Sequence, residues 1–589
     1  MTKPLLMARL AGTQEEMGAQ HGRLVAEDAK DLVEFYRTMP ERTLVGDTRG
    51  TSGVVARVAA RGLATAWQAS LARERPADLA ARSRACMEAA LGSTPRTAMY
   101  ALATMDSLQN CISLVARAGL GPFATMPNTA VDIDGSRQPA PSLLRRIPLA
   151  NRLATRAAAT AAPACTTAIA WGDATADGEL LFARNFDFPG VGVWDAAPAF
   201  VVNAPTGGQR YAFFARRGAD TAAITVINEA GLVIAPHTRW HVGAGWRGAM
   251  IIDVIHDLAR RAETLDDAIR IARERPISST WGIAVGSTRE RSGLVLEVAG
   301  PQVEVIRPAP GASFLVCANR YRTPSLQAGQ VAATSGWALH SERRERALRM
   351  LVETRTAPLT AEMLAGFMGH RHDVDAPAQR RRMGSVLAQP TNVHCAVIAP
   401  AAQRALVGVD QAPCCEGTWA DLTWSWDGST GAWEIGSTPS ASGFSARTRD
   451  DLVAPQDAAT RHVHEAARLY EGTHDVPGTR AAIERAVAAA PDDPSLRLAA
   501  AWLAHEEDDL AASVAHIDAG LALETDAYRR GQFLLWGARA ARTTDPVRAT
   551  QWRAELEAID SPLVDELRRA AKLPHRSRPH INLMMADAY

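Results

Sequence analysis

The change in sequence character at Cys165 constrains the possible folds of this chain more than any other feature. Residues 119–162 contain several prolines among glycines and serines, a composition typical of a long loop or strap. Residues 166–171 and 180–184 are instead short β-type apolar runs, and Asp177-Gly178 between them is a strong turn signal. The sequence therefore predicts an antiparallel hairpin that starts directly after Cys165.

Strand and helix patterns divide the chain into four regions. Residues 1–118 are predicted to be an N-terminal, mainly helical segment from residue 8 onwards, and residues 119–164 a linker or lid. Residues 165–446 carry strands, then helices, then strands, which is the order of a layered α+β domain with antiparallel sheets. Residues 447–589 contain only helical patterns and are predicted to form an all-α domain.

Two predicted inter-helix turns in the C-terminal region, at residues 490–493 and 523–526, lie 33 residues apart. Together with alanine-rich helix pairs, this period resembles a tetratricopeptide-type array. A plain helical bundle is the alternative interpretation. The region is also a candidate surface for a protein partner.

Charge and lysine usage exclude several classes of function. The chain has 64 Lys+Arg and 64 Asp+Glu, so no net field attracts it to nucleic acid or to an anionic membrane. Its lysines are Lys3, Lys30 and Lys572. No P-loop lysine or Schiff-base lysine can therefore lie between residues 31 and 571.

The cysteines indicate a reducing compartment. There are seven of them, at no metal-like spacing, so we predict neither a disulfide framework nor a metal site. The N-terminus lacks the apolar core of a signal peptide, and the apolar run at residues 157–172 is broken by Pro163 and falls short of a ~20-residue membrane span. We therefore expect a cytoplasmic protein. The cysteines are Cys86, Cys111, Cys165, Cys317, Cys395, Cys414 and Cys415.

Five short segments occur in one order along the chain. They are Leu10 to Gly22 (LAGTQEEMGAQHG), Cys165-Thr166-Thr167, Arg184-Asn185-Phe186-Asp187-Phe188, Asn228-Glu229-Ala230-Gly231-Leu232 and Cys317-Ala318-Asn319-Arg320-Tyr321. In this order they resemble the N-terminal nucleophile (Ntn) hydrolases, in the branch of isopenicillin N acyltransferase and, more remotely, of bile-salt hydrolases and penicillin V acylases. The resemblance covers roughly residues 8–430. It implies a four-layer αββα Ntn-hydrolase sandwich, followed here by the C-terminal helical domain.

The resemblance also implies roles for the residues near the junction. Cys165 would be the nucleophile and, after cleavage of the Ala164–Cys165 bond, its free α-amine would be the base, since such amines have a pKa of ~7.7–8.0. Asp187 would hold that amine through a charge-assisted hydrogen bond, and Arg184 would orient the cysteine region or the departing carboxyl. Ala164 stands where the acyltransferase has glycine, and it keeps the small size.

The oxyanion donors and a late arginine complete the implied site. Asn319 would donate its side-chain amide to the tetrahedral oxyanion. Asn228, His237 and Thr238 are the further candidates for binding the substrate or the oxyanion. Asn228 starts the segment after which relatives place a second donor, and this chain has His237 and Thr238 at that place. The late arginine is one of Arg380, Arg381 and Arg382, of which spacing favours Arg380.

The predicted function is cleavage of a non-peptidic or small peptidic amide, or transfer of its acyl group, through a thioester on Cys165. The partner would be a small-molecule amide or acyl donor, and no cofactor is needed. One alternative is a non-catalytic pseudoenzyme that uses the helical domain to bind a protein. A second alternative is a lipid-amide or phospholipase-like hydrolase of the same superfamily.

Ordinary structural interpretations compete with each of these roles. A cysteine on an apolar strand is most often a small buried hydrophobe. Asp187 and Asn319 are also common turn residues. Three consecutive arginines usually form a solvated charged loop.

Overall fold

The computed structural model describes most of the core and of the C-terminal region. The described residues are 4–35, 38, 58, 62, 65–92, 104–118, 124–125, 164–222, 224–245, 247–332, 334–437 and 457–572. Most of the linker or lid predicted for residues 119–164 lies outside these ranges.

The strands are numbered here in chain order. They are β1 Leu5–Gly12, β2 Ala124–Thr125, β3 Thr166–Ala170, β4 Leu181–Asp187, β5 Pro198–Pro205, β6 Tyr211–Arg216, β7 Thr225–Asn228, β8 Leu232–Thr238, β9 Thr280–Ser287, β10 Ser292–Ala299, β11 Gln302–Ile306, β12 Phe314–Cys317, β13 Val331–Ala332, β14 Asn392–Ala399, β15 Arg404–Gly408, β16 Trp419–Thr423 and β17 Trp433–Ser437.

The α-helices fall into two groups. In the first part of the chain they are α1 Gln14–Val25, α2 Ala77–Leu91, α3 Thr104–Arg117, α4 Ile251–Arg261, α5 Leu265–Arg273, α6 Pro324–Gln327, α7 Ser335–Glu353 and α8 Ala361–Met368. The C-terminal run comprises α9 Ala458–Thr473, α10 Val476–Ala489, α11 Pro494–Glu506, α12 Leu510–Leu523, α13 Ala527–Ala540, α14 Pro546–Ala558 and α15 Asp565–Lys572.

Two sheets form the centre of the molecule. Within the described residues, the larger sheet has the order β11-β10-β9-β8-β7-β6-β5-β1-β17 and the smaller has the order β12-β3-β4-β14-β15-β16. Neighbouring strands run antiparallel, except that β1 runs parallel to β5. The predicted α+β class with antiparallel sheets is confirmed.

The layers are joined by three sets of apolar contacts. Phe182 of the smaller sheet and Phe200 of the larger belong to one buried cluster between the sheets. On the other face of the smaller sheet, Ala183 packs in a cluster with Leu348 of α7 and Leu364 of α8. Helices α4 and α5 belong to the cluster that covers the larger sheet. The order across these layers is helix, sheet, sheet, helix.

The predicted hairpin after Cys165 is confirmed. Strands β3 and β4 pair antiparallel, with Ala170 opposite Leu181 and Thr166 opposite Asn185. Gly178 has a φ of 75°, a conformation that glycine adopts without steric cost. The turn requires a positive φ at this position, which explains why the Asp177-Gly178 pair predicts it.

The helical prediction for the N-terminal region is wrong at its start. Residues 8–12 belong to β1, which pairs with β5 on one side and with β17 on the other. Leu5 and Met7 face the layer between the sheets, whereas Leu10 packs with the cluster on the larger sheet's other face. Pairing with two strands distant in sequence decided the conformation, because strand propensity depends on such neighbours.

The C-terminal run of helices is confirmed, whereas the tetratricopeptide-type assignment is not. An aspartate side chain caps the start of each helix from α9 to α14 by accepting a hydrogen bond from a backbone N–H, an arrangement strongly preferred at helix N-termini. These residues are Asp457, Asp475, Asp493, Asp509, Asp526 and Asp545. Among the helices in the described ranges, none is both long and apolar enough to cross a lipid bilayer.

Two glycines allow α1 to cross α2 at very short range, and one of them provides a test. A Cβ atom at Gly22 would lie 2.2 Å from the carbonyl oxygen of Cys86. We expect Gly22→Ala to destabilise the protein by about 1–3 kcal/mol, since backbone has to move to relieve such overpacking. Gly472 in α9 has no atom within 4 Å of its Cβ position, so Gly472→Ala is the matched control and should be neutral or slightly stabilising. Thermal and urea denaturation measure both, and equal losses would contradict the packing argument.

Candidate active site

The β3–β4 hairpin brings three of the predicted site residues together. Cys165 precedes β3 and is 1% exposed. Thr167 of β3 lies opposite Arg184 of β4, and Asp187 ends β4. The backbone N–H of Ala164 donates to the carbonyl oxygen of Asp187 at 3.3 Å. The hairpin register therefore sets both charged residues beside the candidate nucleophile.

Arg184 contacts the thiol directly. Its Nη2 lies 3.6 Å from Cys165 Sγ and also donates to the carbonyl oxygen of Pro236 in β8. Burial raises the pKa of the Cys165 thiol, and the Arg184 cation opposes that rise. The thiol is therefore protonated at neutral pH, and its attack on a carbonyl needs a proton acceptor.

Asp187 offers a buried acceptor near the thiol. Asn392 Nδ2 donates to its Oδ1 at 2.8 Å, while no described residue donates to its Oδ2. Burial raises the Asp187 pKa to about 7, although the guanidinium of Arg344, the Asn392 hydrogen bond and Arg184 act in the opposite direction. The Asp187 carboxyl thus titrates near neutral pH and has a vacant lone pair.

Arg344 of α7 is one of the site residues that the sequence interpretation missed. Its Nη1 donates to the carbonyl oxygens of Ala164 and Cys165, at 2.5 and 2.9 Å, and to Thr166 Oγ1 at 2.7 Å. Its Nη2 donates to Asn319 Oδ1 at 2.9 Å. One guanidinium therefore binds both carbonyls flanking the predicted cleavage position and orients the predicted oxyanion donor.

A sequence signal for Arg344 existed in the helical periodicity. Arg344 lies four residues before Leu348 and seven before Leu351, and all three side chains are buried on one face of α7. An arginine on an apolar helix face is uncommon unless it is paired. Asn392, the partner of Asp187, gave no comparable signal because it stands at the first position of β14.

Asn319 is held by three hydrogen bonds. Besides accepting from Arg344, it donates Nδ2 to the carbonyl oxygen of Thr238 at 2.8 Å, and Ser341 Oγ accepts its backbone N–H at 2.9 Å. A side-chain amide carries two N–H donors. One Nδ2 hydrogen remains for a further acceptor.

His237 and Thr238 lie near the site, whereas Asn228 does not contact it. His237 Nε2 is 2.8 Å from Thr167 Oγ1, and burial lowers the pKa of His237 well below its ordinary value, so the imidazole is neutral. Thr238 contributes the carbonyl that accepts from Asn319. Asn228 Nδ2 donates to carbonyl oxygens at residues 259 and 262, which ties the β7–β8 turn to the end of α4.

Two of the three consecutive arginines form ion pairs with the C-terminal region. Arg381 pairs with Asp373 and with Glu524, and Arg382 pairs with aspartates of the C-terminal region. Arg380 forms an isolated β-bridge with His372. In the described part of the chain, no hydrogen bond or ion pair joins any of the three arginines to Cys165. The role proposed for Arg380 stays a prediction, while Arg344 is the additional arginine in contact with the site.

A group of possible metal ligands lies elsewhere, at the crossing of α1 and α2. One ligand atom each from His21, Cys86 and Asp220 lies within 4.8 Å of the others. Arg82 donates to both oxygens of the Asp220 carboxylate, and His21 Nδ1 lies 2.9 Å from it. The arginine already neutralises the carboxylate and would repel a cation, so we interpret the group as a buried ion pair that joins both helices to the segment after β6.

Residues 174–412 match the family described as acyl-coenzyme A:6-aminopenicillanic acid acyl-transferase. The family resemblance is confirmed over this region. The matched residues include Arg184, Asp187, Asn319 and Arg344, and the match begins after Cys165. No curated protein matches the chain significantly.

Parts of the chain are similar to solved structures of amide hydrolases. The N-acylethanolamine-hydrolyzing acid amidase ortholog of Caenorhabditis elegans is 14% identical, over 40% of this chain and 93% of that chain, with a TM-score of 0.29. A variant of the conjugated bile acid hydrolase of Clostridium perfringens is 10% identical, over 47% of this chain and 98% of that chain, with a TM-score of 0.32. At these TM-scores the likeness carries no argument about this chain.

The raised pKa of Asp187 predicts a pH-dependent stability change. The folded-state value of about 7 lies above the ordinary 3.8, so the folded protein binds a proton that the unfolded chain has lost between these values. The wild-type chain therefore loses stability as pH rises through this window. In a Cys165→Ala background, Asp187→Asn should raise the free energy of unfolding, measured by urea denaturation, more at pH 8 than at pH 5, by an amount on the order of a few kcal/mol. A stabilisation that shrinks between pH 5 and pH 8 would contradict the burial of this charge.

Proposed function

We propose that the chain is an autoprocessed cysteine Ntn hydrolase with an αββα core. It cleaves its own Ala164–Cys165 bond and then hydrolyses a non-peptidic or small peptidic amide, or transfers its acyl group, through a thioester on Cys165. The observation that carries the proposal is the environment of this peptide bond. Arg344 binds its carbonyl oxygen and Arg184 contacts the thiol, while Asp187, whose backbone carbonyl oxygen lies 3.9 Å from Cys165 Sγ, has a vacant side-chain oxygen.

The first step is an acyl shift from nitrogen to sulfur. Cys165 Sγ attacks the carbonyl carbon of Ala164, and the negative charge develops on the oxygen to which Arg344 already donates. The C–N bond to Cys165 then breaks, and the proton released by the thiol ends on the departing amine. Hydrolysis of the thioester by water leaves a carboxylate on Ala164 and a free α-amine on Cys165. Donors aimed at a developing oxyanion are a large contribution to acyl-transfer catalysis.

The same groups serve the mature enzyme. The new α-amine of Cys165 accepts the thiol proton as the thiol attacks the substrate carbonyl, and it returns that proton to the leaving amine. The vacant Asp187 Oδ2 accepts a hydrogen bond from the ammonium form, which also favours ionisation of Asp187. The second Nδ2 hydrogen of Asn319 is available for the substrate oxyanion. Water or an amine then releases the acyl group.

Intact-mass measurement of the purified protein tests the processing step. We expect wild type to give two fragments that meet at Ala164/Cys165, and Cys165→Ala to stay one chain. Cys317→Ala is the matched control, because Cys317 is also a buried cysteine of the smaller sheet with an arginine at its sulfur, and it should still be cleaved. A wild type that keeps its full mass and ignores thiol reagents would favour the non-catalytic scaffold.

Arg344 provides a quantitative test of the oxyanion argument. Arg344→Lys keeps the positive charge but cannot reach the carbonyls of Ala164 and Cys165 and Asn319 together, so cleavage should slow by about 10²-fold. Arg349→Lys on the same helix is the control, and cleavage should stay within about twofold of wild type because Arg349 makes no contact with Cys165. The time course of cleavage, followed by mass, measures both. Equal rates in the two variants would remove Arg344 from the mechanism.

Substrate profiling tests the amide class. Processed enzyme is incubated with acyl-amino acids, acyl-lactams and lipid amides, and released amine is quantified. Amine release from at least one amide, absent in Cys165→Ala, is the expected result. Cleavage of esters alone would exclude amides as the substrate class.

A further inference from the structure

The C-terminal helices are joined to the core by buried charges. Arg381 and Asp373 come from the core, and Glu524 and Arg529 from the helical run. Arg381 pairs with Asp373 and Glu524, and Arg529 pairs with the same two carboxylates. All four side chains are 1% exposed. Separation of the two regions would leave these buried charges without their partners, which is strongly destabilising.

Two consecutive residues of α7 connect this interface with the candidate site. Arg344 binds the Cys165 carbonyl, as described above. Arg343 instead contacts the C-terminal region: its Nη2 donates to Asp526 at 2.5 Å. Its Nε donates to Asp375 at 2.7 Å. The Arg343 side chain is 4% exposed. One turn of α7 is therefore held between Cys165 and the C-terminal region.

Asp526 has a second role that fixes its own position. It caps α13, where its carboxylate accepts the backbone N–H of Arg529 at 2.9 Å. The carboxylate that binds Arg343 is thus mounted on the start of a helix, with little freedom to move.

The first turn of α7 is supported by the same helices. The backbone N–H of Ser335 donates to Glu566 Oε1 at 2.8 Å, and the hydroxyl of Tyr528 donates to the same oxygen at 2.8 Å. Glu566 lies in α15 and Tyr528 in α13. An acidic side chain at this end also interacts favourably with the positive end of the α7 dipole.

The helices also contact the loop that follows Asp187. Glu471 of α9 accepts the backbone N–H groups of Gly190 and Val191, at 2.8 and 3.1 Å. These residues lie in the loop that follows Asp187. The C-terminal run thus contacts the element that carries Arg344 and the loop next to Asp187.

We infer that the C-terminal helical run is a positioning element of the catalytic site, and that Asp526 acts through Arg343 to hold Arg344 at the Ala164–Cys165 bond. Asp526 lies outside the region matched to the acyltransferase family. It touches no reacting atom, so it is a positioning residue. Its effect on cleavage rests on the proposed function.

The test compares two aspartate caps in the full-length chain. Asp526→Asn keeps the helix cap, since asparagine caps as well as aspartate, but removes the charge that binds Arg343. Asp545→Asn is the matched control, because Asp545 caps α14 in the same way at an exposed position. We expect cleavage at Ala164/Cys165 to slow by about tenfold in Asp526→Asn, since small displacements of a positioned group have effects of this size or larger. It should stay within about twofold of wild type in Asp545→Asn, and equal rates in both variants would overturn the inference.

A double-mutant comparison separates positioning from general destabilisation. In an Arg344→Lys chain the route through Arg344 is already impaired, so adding Asp526→Asn should slow cleavage by less than about twofold more. A further tenfold loss in the double variant would show that Asp526 acts independently of Arg344 and would overturn the inference. If Asp526→Asn does not fold, Arg343→Gln removes the same ion pair from the core side. Unchanged cleavage in that variant would also overturn the inference.

Hydrogen exchange distinguishes failure of this inference from failure of the proposed function. In uncleavable Cys165→Ala chains, backbone amides of α7 should exchange faster with Asp526→Asn than with Asp545→Asn, whether or not the enzyme is active. Exchange that is the same in both chains would overturn the coupling. A wild type that is never cleaved, together with faster exchange in Asp526→Asn, would reject the proposed function and retain the coupling.

Discussion

The antiparallel pairing of β3 with β4 is the constraint on which the candidate site depends. It sets Arg184 and Asp187 next to Cys165 through backbone hydrogen bonds rather than through side-chain contacts. A shift of the register by one residue would turn every side chain of β4 to the other face. Because the two faces lie in different buried layers, such a shift would also bury charged groups among apolar ones, so packing enforces the register.

Burial and positive charge act against each other in this site. Removal from water raises the pKa of both the Cys165 thiol and the Asp187 carboxyl, while Arg184 and Arg344 oppose both changes. The result is a thiol that is protonated at neutral pH and, in the same buried site, a carboxyl that titrates near neutrality. Burial and nearby charges that shift pKa values in this way are typical of functional sites.

The C-terminal helices restrain the helix that carries Arg344. Arg343 and Arg344 are neighbours in sequence, yet their side chains reach different regions of the protein. A helix that is held on both sides has few ways to relax, so Arg344 is presented to the Ala164 and Cys165 carbonyls in a fixed orientation. Such preorganisation is what electrostatic stabilisation of an oxyanion requires.

Local sequence patterns determined much of the fold and part of the site. The Asp177-Gly178 turn, the helical patterns after residue 457 and the order of motifs from Cys165 to Asn319 were sufficient to predict the hairpin, the helical run and the acyltransferase resemblance that residues 174–412 show. Only the tertiary structure decided that residues 5–12 form a strand, that Arg344 and Asn392 join the site and that Arg381 pairs at the domain junction. The physical reason is that turns and caps depend on neighbouring residues, whereas strand pairing and buried ion pairs depend on partners that folding brings together from distant parts of the chain.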